Sequence, residues 1–298
     1  MQPLISIITP SLNRANMIGG AIESVIAQNY PNFEHIIVDG GSTDGTLEFL
    51  KRYHHLIILT GQDQGMYDAL NRGIKFAKGE IIGFLNSDDL FVEDIFSIVV
   101  EKFQKQKVMA VAGEALTFIV SSNGGRNIIS NFSPKGANLL ELSTIGNPYI
   151  NAWFFHRTVF EEIGDFRTNY KIVGDREFIL RFALSNLPYT TISRPIYQYR
   201  QHMDSMTFEI TDQKFERIVG EHLFMTRMYL NQRSLPTKAR ALIRKLRTRD
   251  TLKMAIHSLK KMNFPKFAYY LWQGIENGMY GAIPIVAGWF RHRIIRQH

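Results

Sequence analysis

Leu4-Ile5-Ser6-Ile7-Ile8-Thr9-Pro10 is a continuous apolar run ending in Thr-Pro, the pattern of a short parallel strand buried on both faces. Residues 15–28 follow, with Met17, Ile18, Ala21, Ile22, Val25 and Ile26 at helical spacing and Pro31 barring continuation. Further short apolar runs at 35–38, 56–59 and 81–85 read as strands, and 67–78 reads as a helix with Gly79 in the C-cap position. This alternation predicts a doubly wound, mostly parallel α/β sheet, whose ligands sit in the crevice beyond the carboxyl ends of the strands. Three polar clusters, at 9–14, 39–46 and 86–89, each follow a strand and so fall at that edge.

Past Phe91 the pattern loosens. Residues 93–105 predict a helix, 108–120 one or two strands and 121–125 a turn, while 130–208 are mixed and rich in aromatics. From Phe208 onward the chain reads as helices, broken near 234–236, at Pro265 and at Pro284, and no internal repeat is present.

The chain has 298 residues, 45% hydrophobic and 21% charged, which excludes disorder and fibre and allows a large core. The longest uncharged apolar stretch near the C-terminus, 277–290, is 14 residues with Pro284 and three glycines, short of the roughly 17–25 of a spanning helix. No basic n-region, apolar core or small-residue cleavage site follows Met1, so no secretory signal is expected. The absence of cysteine excludes disulfides and thiolate chemistry and favours a reducing cytoplasm. Charge is uneven: residues 1–230 carry 21 basic and 25 acidic side chains, residues 231–298 carry 14 and 2. Ten of the basic residues lie between Arg233 and Lys261 with Asp250 the one acid among them, a density suited to a polyanionic surface.

Asp39-Gly40-Gly41-Ser42-Thr43-Asp44-Gly45-Thr46 is glycine-rich, but Thr46 stands where a P-loop needs Lys and Ser42 where a dinucleotide fingerprint needs Gly. The loop instead offers Asp39 and Asp44, which suit a base or ribose, or else it is simply a tight turn. Asn86-Ser87-Asp88-Asp89 places adjacent carboxylates at the crevice mouth. They either hold Mg2+ or Mn2+ on a diphosphate or cap a helix beginning near Val92.

Taken in order, residues 5–14, 38–46, Asp63-Gln64-Gly65-Met66-Tyr67-Asp68-Ala69-Leu70-Asn71-Arg72-Gly73 and 83–89 resemble the motifs of family 2 glycosyltransferases with the GT-A fold. The variant with Leu-Asn-Ser-Asp-Asp resembles bacterial members that build O-antigen, lipopolysaccharide and capsule. The resemblance is strong over residues 4–91, moderate over 147–207 and absent from the tail. It implies an inverting, metal-dependent transfer of sugar from a nucleotide-sugar, taken as a UDP-sugar, to a saccharide acceptor carried on a lipid. It places the nucleotide on Thr9, Pro10, Asn13, Arg14 and Asp39, with Asp68, Asn86 and Ser87 beside them, and Mn2+ or Mg2+ on Asp88. Asn86 departs from the family's first Asp and contributes no charge. Gly174-Asp175-Arg176-Glu177-Phe178 matches the short acidic motif that carries the base, which lands on Asp175; read without the family, Asp175 is a helix N-cap and Glu177 a first-turn acid. Trp153 either stacks on a sugar face or sits in the core. Tyr197 to Thr207 takes the place of a loop that folds over the donor, where the resemblance implies that Arg200 and His202 contact diphosphate or metal, with Glu177 grouped beside them; read without it, His202 is a solvated loop residue.

These assignments divide the chain into a nucleotide-sugar half (1–115), an acceptor half (116–208) and a basic, aromatic helical extension (209–298). The extension carries Phe264, Phe267, Tyr269, Tyr270, Leu271, Trp272, Tyr280, Trp289 and Phe290 among its cations. Such a mixture suits the interface of an anionic membrane, here the inner face of the plasma membrane; packing against the catalytic core or a homo-oligomer interface is the alternative. Basic charge with no recognised motif argues against nucleic acid as a partner. A nonenzymatic nucleotide-sugar-binding subunit is the other reading that Asn86 leaves open.

Overall fold

The computed structural model describes residues 2–121, 124–202 and 211–276. It divides into two compact units, Met1–Glu209 and Ile210–His298.

The first unit opens with β1 (Ile5–Ser11), α1 (Ile18–Ile26), β2 (Phe33–Asp39), α2 (Thr46–Leu50), β3 (Leu56–Thr60), α3 (Met66–Phe76) and β4 (Ile81–Phe84). β1 pairs in parallel with both β2 and β4, and β2 with β3. All four strands therefore point their carboxyl ends the same way. Continuous Ile and Val runs allow this, because β1, β4 and most of β2 are buried while β3 stands half-buried at the edge; Ile5, Ile7, Ile8, Ile36, Ile37 and Val38 are fully buried, each worth about 1.5–3 kcal/mol. Gly79 is not a C-cap: α3 ends at Phe76 with Ala77 following. A Cβ at Gly79 would meet Ser6 Oγ at 2.5 Å and the Leu4 carbonyl at 2.7 Å, so glycine is required there by close approach to β1.

The unit continues with β5 (Leu90–Phe91), α4 (Ile95–Gln106), β6 (Ala110–Val120), β7 (Arg126–Phe132), α5 (Leu139–Thr144), β8 (Trp153–His156), α6 (Thr158–Ile163), α7 (Gly174–Ser185) and β9 (Tyr189–Arg200). One sheet joins all the strands in the order β3-β2-β1-β4-β8-β6-β9-β5, with β7 on β6. The mostly parallel expectation needs correcting beyond β4. β8 runs antiparallel to β4 and β6, β7 to β6 and β5 to β9, while β6 and β9 are parallel. The sheet is mixed, and β6 crosses residue 115 without a break, so the two halves of this unit share one continuous framework. Its core gathers Ile5, Val25, Ile81, Phe96, Phe154 and Ile196 from α1, α4 and the central strands.

The second unit contains α8 (Asp212–Leu230), α9 (Thr237–Lys260) and α10 (Phe264–Glu276). Pro265 opens α10 rather than breaking a helix, as the ring suits a first turn. α8 and α9 meet around Asp250, which is fully buried and lies 2.8 Å from His222 Nδ1 and 2.9 Å from Arg249 Nε. Burial alone raises this carboxyl, but its bonds to His222 and Arg249 outweigh that and bring it to about 2. Arg240 donates to the carbonyls of Leu230 and Gln232, and Arg247 to that of Leu223. Part of the basic density thus holds the helices together. Arg233, Lys238, Arg244, Lys245 and Lys260 are exposed and form no ion pair among the described residues. No helix of the described residues is long and apolar enough to cross a membrane. Tyr280, Pro284, Trp289 and Phe290, and Met203 to Thr207 of the expected donor loop, lie outside the described residues.

Candidate active site

The parallel register sets Ser11 opposite Asp39, so the loops after β1 and β2 leave the sheet side by side. They are stitched together. Asn13 N–H donates to Ser42 Oγ at 2.8 Å, Thr43 N–H to Asn13 Oδ1 at 2.9 Å and Arg14 N–H to Thr46 Oγ1 at 2.9 Å. Asp44 accepts from the backbone of Ala15 and Thr46, so it ties the loops to each other. Asp39 is fully buried and accepts from Gly41 N–H, Ser42 N–H and Ser42 Oγ–H at 3.0, 2.8 and 2.6 Å. Its observed role is to shape the loop rather than to line a surface. Thr9 is likewise buried, 2.9 Å from His35 Nε2. Burial and the neighbouring His55 lower His35 to about 3, which keeps that imidazole neutral. Asn13 is exposed and Pro10 and Arg14 are half-buried at the same edge. Asp68, in the first turn of α3, accepts from Gln64 N–H at 3.1 Å.

The acidic cluster follows β4 directly. It caps no helix: α4 starts at Ile95, whose N–H donates to Oε1 of Gln28, just past α1, at 2.9 Å. Asp88 and Asp89 point to different partners. Asp88 Oδ2 lies 2.9 Å from His202 Nε2, with both side chains 15% exposed. Asp89 is fully buried and accepts from Arg200 N–H at 2.7 Å, Asn86 Nδ2 at 2.9 Å and the Tyr197 hydroxyl. Burial first, and the charge of Asp88 second, push this carboxyl upward, against the pull of those donors. The Tyr197 oxygen also accepts from Asn151 Nδ2 at 2.8 Å. This network fixes the end of β9, and with it His202, against the acidic cluster. Ser87 is buried beside it. The Arg200 guanidinium lies 5.6 Å from the Phe118 ring centre, and a Cβ on Gly20 of α1 would stand 3.4 Å from its Nη2. Among the described residues no third His, Asp or Glu joins Asp88 and His202 as a ligand set.

Asp175 is half-buried in the first turn of α7, one residue inside a helix that begins at Gly174, so it is not the N-cap. Withdrawal from water raises its pKa, opposed by the Arg176 N–H at 2.7 Å, the Arg176 charge and the Tyr67 hydroxyl at 3.4 Å. The segment before it lies on the start of α3, where Lys171 Nζ bonds the Gln64 carbonyl and Tyr67 donates to the Ile172 carbonyl at 2.7 Å. α3 starts beyond the carboxyl end of β3, so Asp175 stands at the same edge of the sheet as the loops after β1, β2 and β4.

Residues 6–164, just over half of the chain, match the family model described as glycosyl transferase family 2. The chain belongs to that family. It is 33% identical over 186 residues to a PGL/p-HBAD biosynthesis glycosyltransferase of Mycobacterium bovis, covering 60% of this chain and 69% of that one. It is 37% identical over 98 residues to TuaG of Bacillus subtilis, a putative teichuronic acid biosynthesis glycosyltransferase, covering 31% and 39%. Among solved structures, Staphylococcus aureus TarS 1–349 in complex with UDP-GlcNAc superposes with a TM-score of 0.68 at 16% identity, covering 92% of this chain and 81% of that one. The Pyrobaculum calidifontis mannosyltransferase PcManGT in complex with GDP-Man and Mn2+ gives 0.62 at 18% identity, covering 99% and 81%. These two likenesses speak for the GT-A fold.

Trp153 and Glu177, which the sequence left open between contact with substrate and a place in the fold, are enclosed by packing. Trp153 is 1% exposed and stacks on Phe155 at 5.8 Å, against Phe182 and Tyr189, so no sugar reaches its face. Glu177 is fully buried between Arg181, whose Nε lies 3.0 Å from both carboxylate oxygens, and Arg167 at 3.2 Å. Arg181 passes the hold on to the carbonyls of Ile163, Gly164 and Asp165. Sequence reasoning did not single out Tyr67, Asn71, Asn151 or Tyr197. All four lie inside stretches that the resemblance covers, Tyr67 and Asn71 in the 63–73 motif, Asn151 in the segment before the base and Tyr197 at the start of the 197–207 loop, but none of them had been given a task.

Proposed function

We propose that this glycosyltransferase moves a sugar, with inversion, from a UDP-sugar to a hydroxyl of a saccharide acceptor, with Asp175 as the base. The observation that carries the proposal is the placement of the half-buried, pKa-raised Asp175 at the strand edge that also presents the Asp88–His202 pair. Asp175 takes the acceptor's proton as the acceptor oxygen bonds the anomeric carbon. The bond from that carbon to the diphosphate oxygen breaks, and its electrons leave with the nucleoside diphosphate. A base matched to this task supplies about 10²–10⁴-fold. A single displacement with one base inverts the anomeric centre, and the anomeric signal of the product reports it.

Asp88 and His202 suit a divalent cation. One carboxylate oxygen and one imidazole nitrogen leave the other positions to diphosphate oxygens and water, as is usual for such ions on nucleotides. Imidazole is a poor partner for hard Mg2+, so the donor set fits Mn2+ better. Bound there, the ion supplies positive charge to the leaving diphosphate. Asn13, Arg14 and Pro10 line the nucleotide side, with Asp39 and Asp44 holding that loop in shape. Calorimetry tests the ion's place. Asp88→Ala is expected to weaken UDP binding about tenfold or more in Mn2+ and to leave it unchanged in EDTA; equal weakening in both overturns the assignment.

The acceptor is proposed to be lipid-linked, in bacterial surface-glycan synthesis, and met at an anionic membrane by the second unit. Support comes from the five exposed cations of α9 and its flank that form no ion pair among the described residues, and from exposed Phe264, Tyr269 and Trp272 on α10. Each Lys or Arg at such a surface contributes about 1 kcal/mol.

A further inference from the structure

In the motif from Asp63 to Gly73, Asp68 was expected beside the nucleotide, while Tyr67 and Asn71 have no task in the proposed chemistry, and the structure shows where they point. Tyr67 is 2% exposed, its ring stacked on Phe166 at 5.7 Å and 25°. Its hydroxyl donates to the Ile172 carbonyl at 2.7 Å and stands 3.4 Å from Asp175 Oδ1. The same ring covers Gly174: a Cβ there would come within 2.7 Å of Tyr67 Cε2, so the residue before Asp175 must be glycine for the ring to lie where it does. Asn71, one turn further along the same face of α3, closes two bonds on Phe166. Its Nδ2 donates to the Phe166 carbonyl at 2.8 Å, and Phe166 N–H donates to its Oδ1 at 2.9 Å. Residues spaced four apart on a helix share a face, so α3 grips the base-bearing segment at both ends, at Phe166 and at Ile172 to Asp175.

We infer that Tyr67 is a positioning residue for Asp175, its hydroxyl tying the carboxyl and the Ile172 carbonyl to one fixed point on α3 so that the base faces the acceptor. The inference rests on the assignment of Asp175 as base. Tyr67 does not touch the reacting atoms. Its phenolic proton is held chiefly by Ile172 at 2.7 Å, and the longer 3.4 Å branch meets Asp175 Oδ1, the oxygen that also accepts from Arg176 N–H at 2.7 Å. Misplacement of a base by a fraction of an ångström is costly, since the gain from orientation depends on near-attack geometry.

Tyr67→Phe deletes the hydroxyl while keeping the ring against Phe166 and Gly174. The expected result is kcat for transfer lowered about tenfold or more, with the donor KM within twofold of wild type. The acidic limb of kcat against pH moves upward, because among the groups facing Asp175, the Arg176 charge and N–H and the Tyr67 hydroxyl, the phenol is one that lowers its pKa. A double-mutant cycle separates positioning from any other role. In the Asp175→Asn background, Tyr67→Phe adds no more than about threefold if it acts through Asp175. Wild-type kcat and pH profile in Tyr67→Phe, or a full further tenfold loss on top of Asp175→Asn, overturns the inference while leaving Asp175 as base. Retention of more than a third of the rate by Asp175→Asn alone removes the base assignment, and this inference with it.

Discussion

Asp175 and Asp89 are both withdrawn from water, yet only one of them is left with a carboxylate edge to offer. Asp89 is enclosed by Arg200 N–H, Asn86 and Tyr197. Asp175 keeps partial exposure and a raised pKa. The sign of the resulting pH dependence follows from its proposed role as base. A base must be ionised, so the rate rises with pH as Asp175 loses its proton, and the raised pKa moves the half-maximal point above the ordinary carboxylate value of about 3.9. A profile of kcat against pH checks this, and a rate still at its plateau at pH 4 contradicts it. The residues that face the crevice were legible in sequence because they sit in ordered motifs after strands. What their side chains do was less so. Sequence left Trp153 open between a sugar face and the core, and Glu177 between the donor loop and a first-turn acid, and tertiary packing shows that Phe155, Phe182, Arg167 and Arg181 enclose them.

At the scale of elements, α3 is the piece on which the site's geometry turns, and its seat on β1 is tight. A Cβ at Gly73 would fall 2.4 Å from Ile8 Cγ2, inside any real contact distance, so the helix rides directly on the strand. Gly73→Ala is expected to cost about 1–3 kcal/mol by overpacking, and to lower kcat as well, because the displaced helix carries Tyr67 and Asn71 with it. Denaturant melts and steady-state kinetics measure the two effects; a variant of wild-type stability and rate contradicts the account of α3. Strands β1 to β4 were readable from their apolar runs and α1 and α3 from helical spacing. Among the later elements α4 and β6 were readable at 93–105 and 108–120, but β5 and β7 were not, because β5 has two residues and no periodicity, and β7 is exposed along nearly its whole length. The antiparallel β8 likewise shows no alternation to read, being buried on both faces through Trp153, Phe154 and Phe155.

For the whole molecule, the asymmetry of charge was visible in the sequence, but its meaning is divided by the structure. Arg240, Arg247 and Arg249 bind carbonyls and Asp250 within the second unit, while Arg233, Lys238, Arg244, Lys245 and Lys260 remain outward. If those five draw the enzyme to anionic lipid, flotation with anionic liposomes occurs at low salt and declines as the Debye length falls from about 10 Å at 0.1 M to 3 Å at 1 M. Flotation with neither anionic nor neutral vesicles at low salt assigns the second unit to packing or oligomerisation instead. If Asp175 acts on the acceptor and a separate set of residues on the donor, as proposed, the two functions separate by mutation. The most direct measurement compares full-length wild type with Asp175→Asn, following sugar transfer from a panel of nucleotide-sugars together with calorimetric UDP affinity in Mn2+. The account predicts transfer reduced about 10²–10⁴-fold with UDP affinity within twofold. Transfer above a third of the wild-type rate, or a loss of UDP affinity as large as the loss of rate, contradicts it.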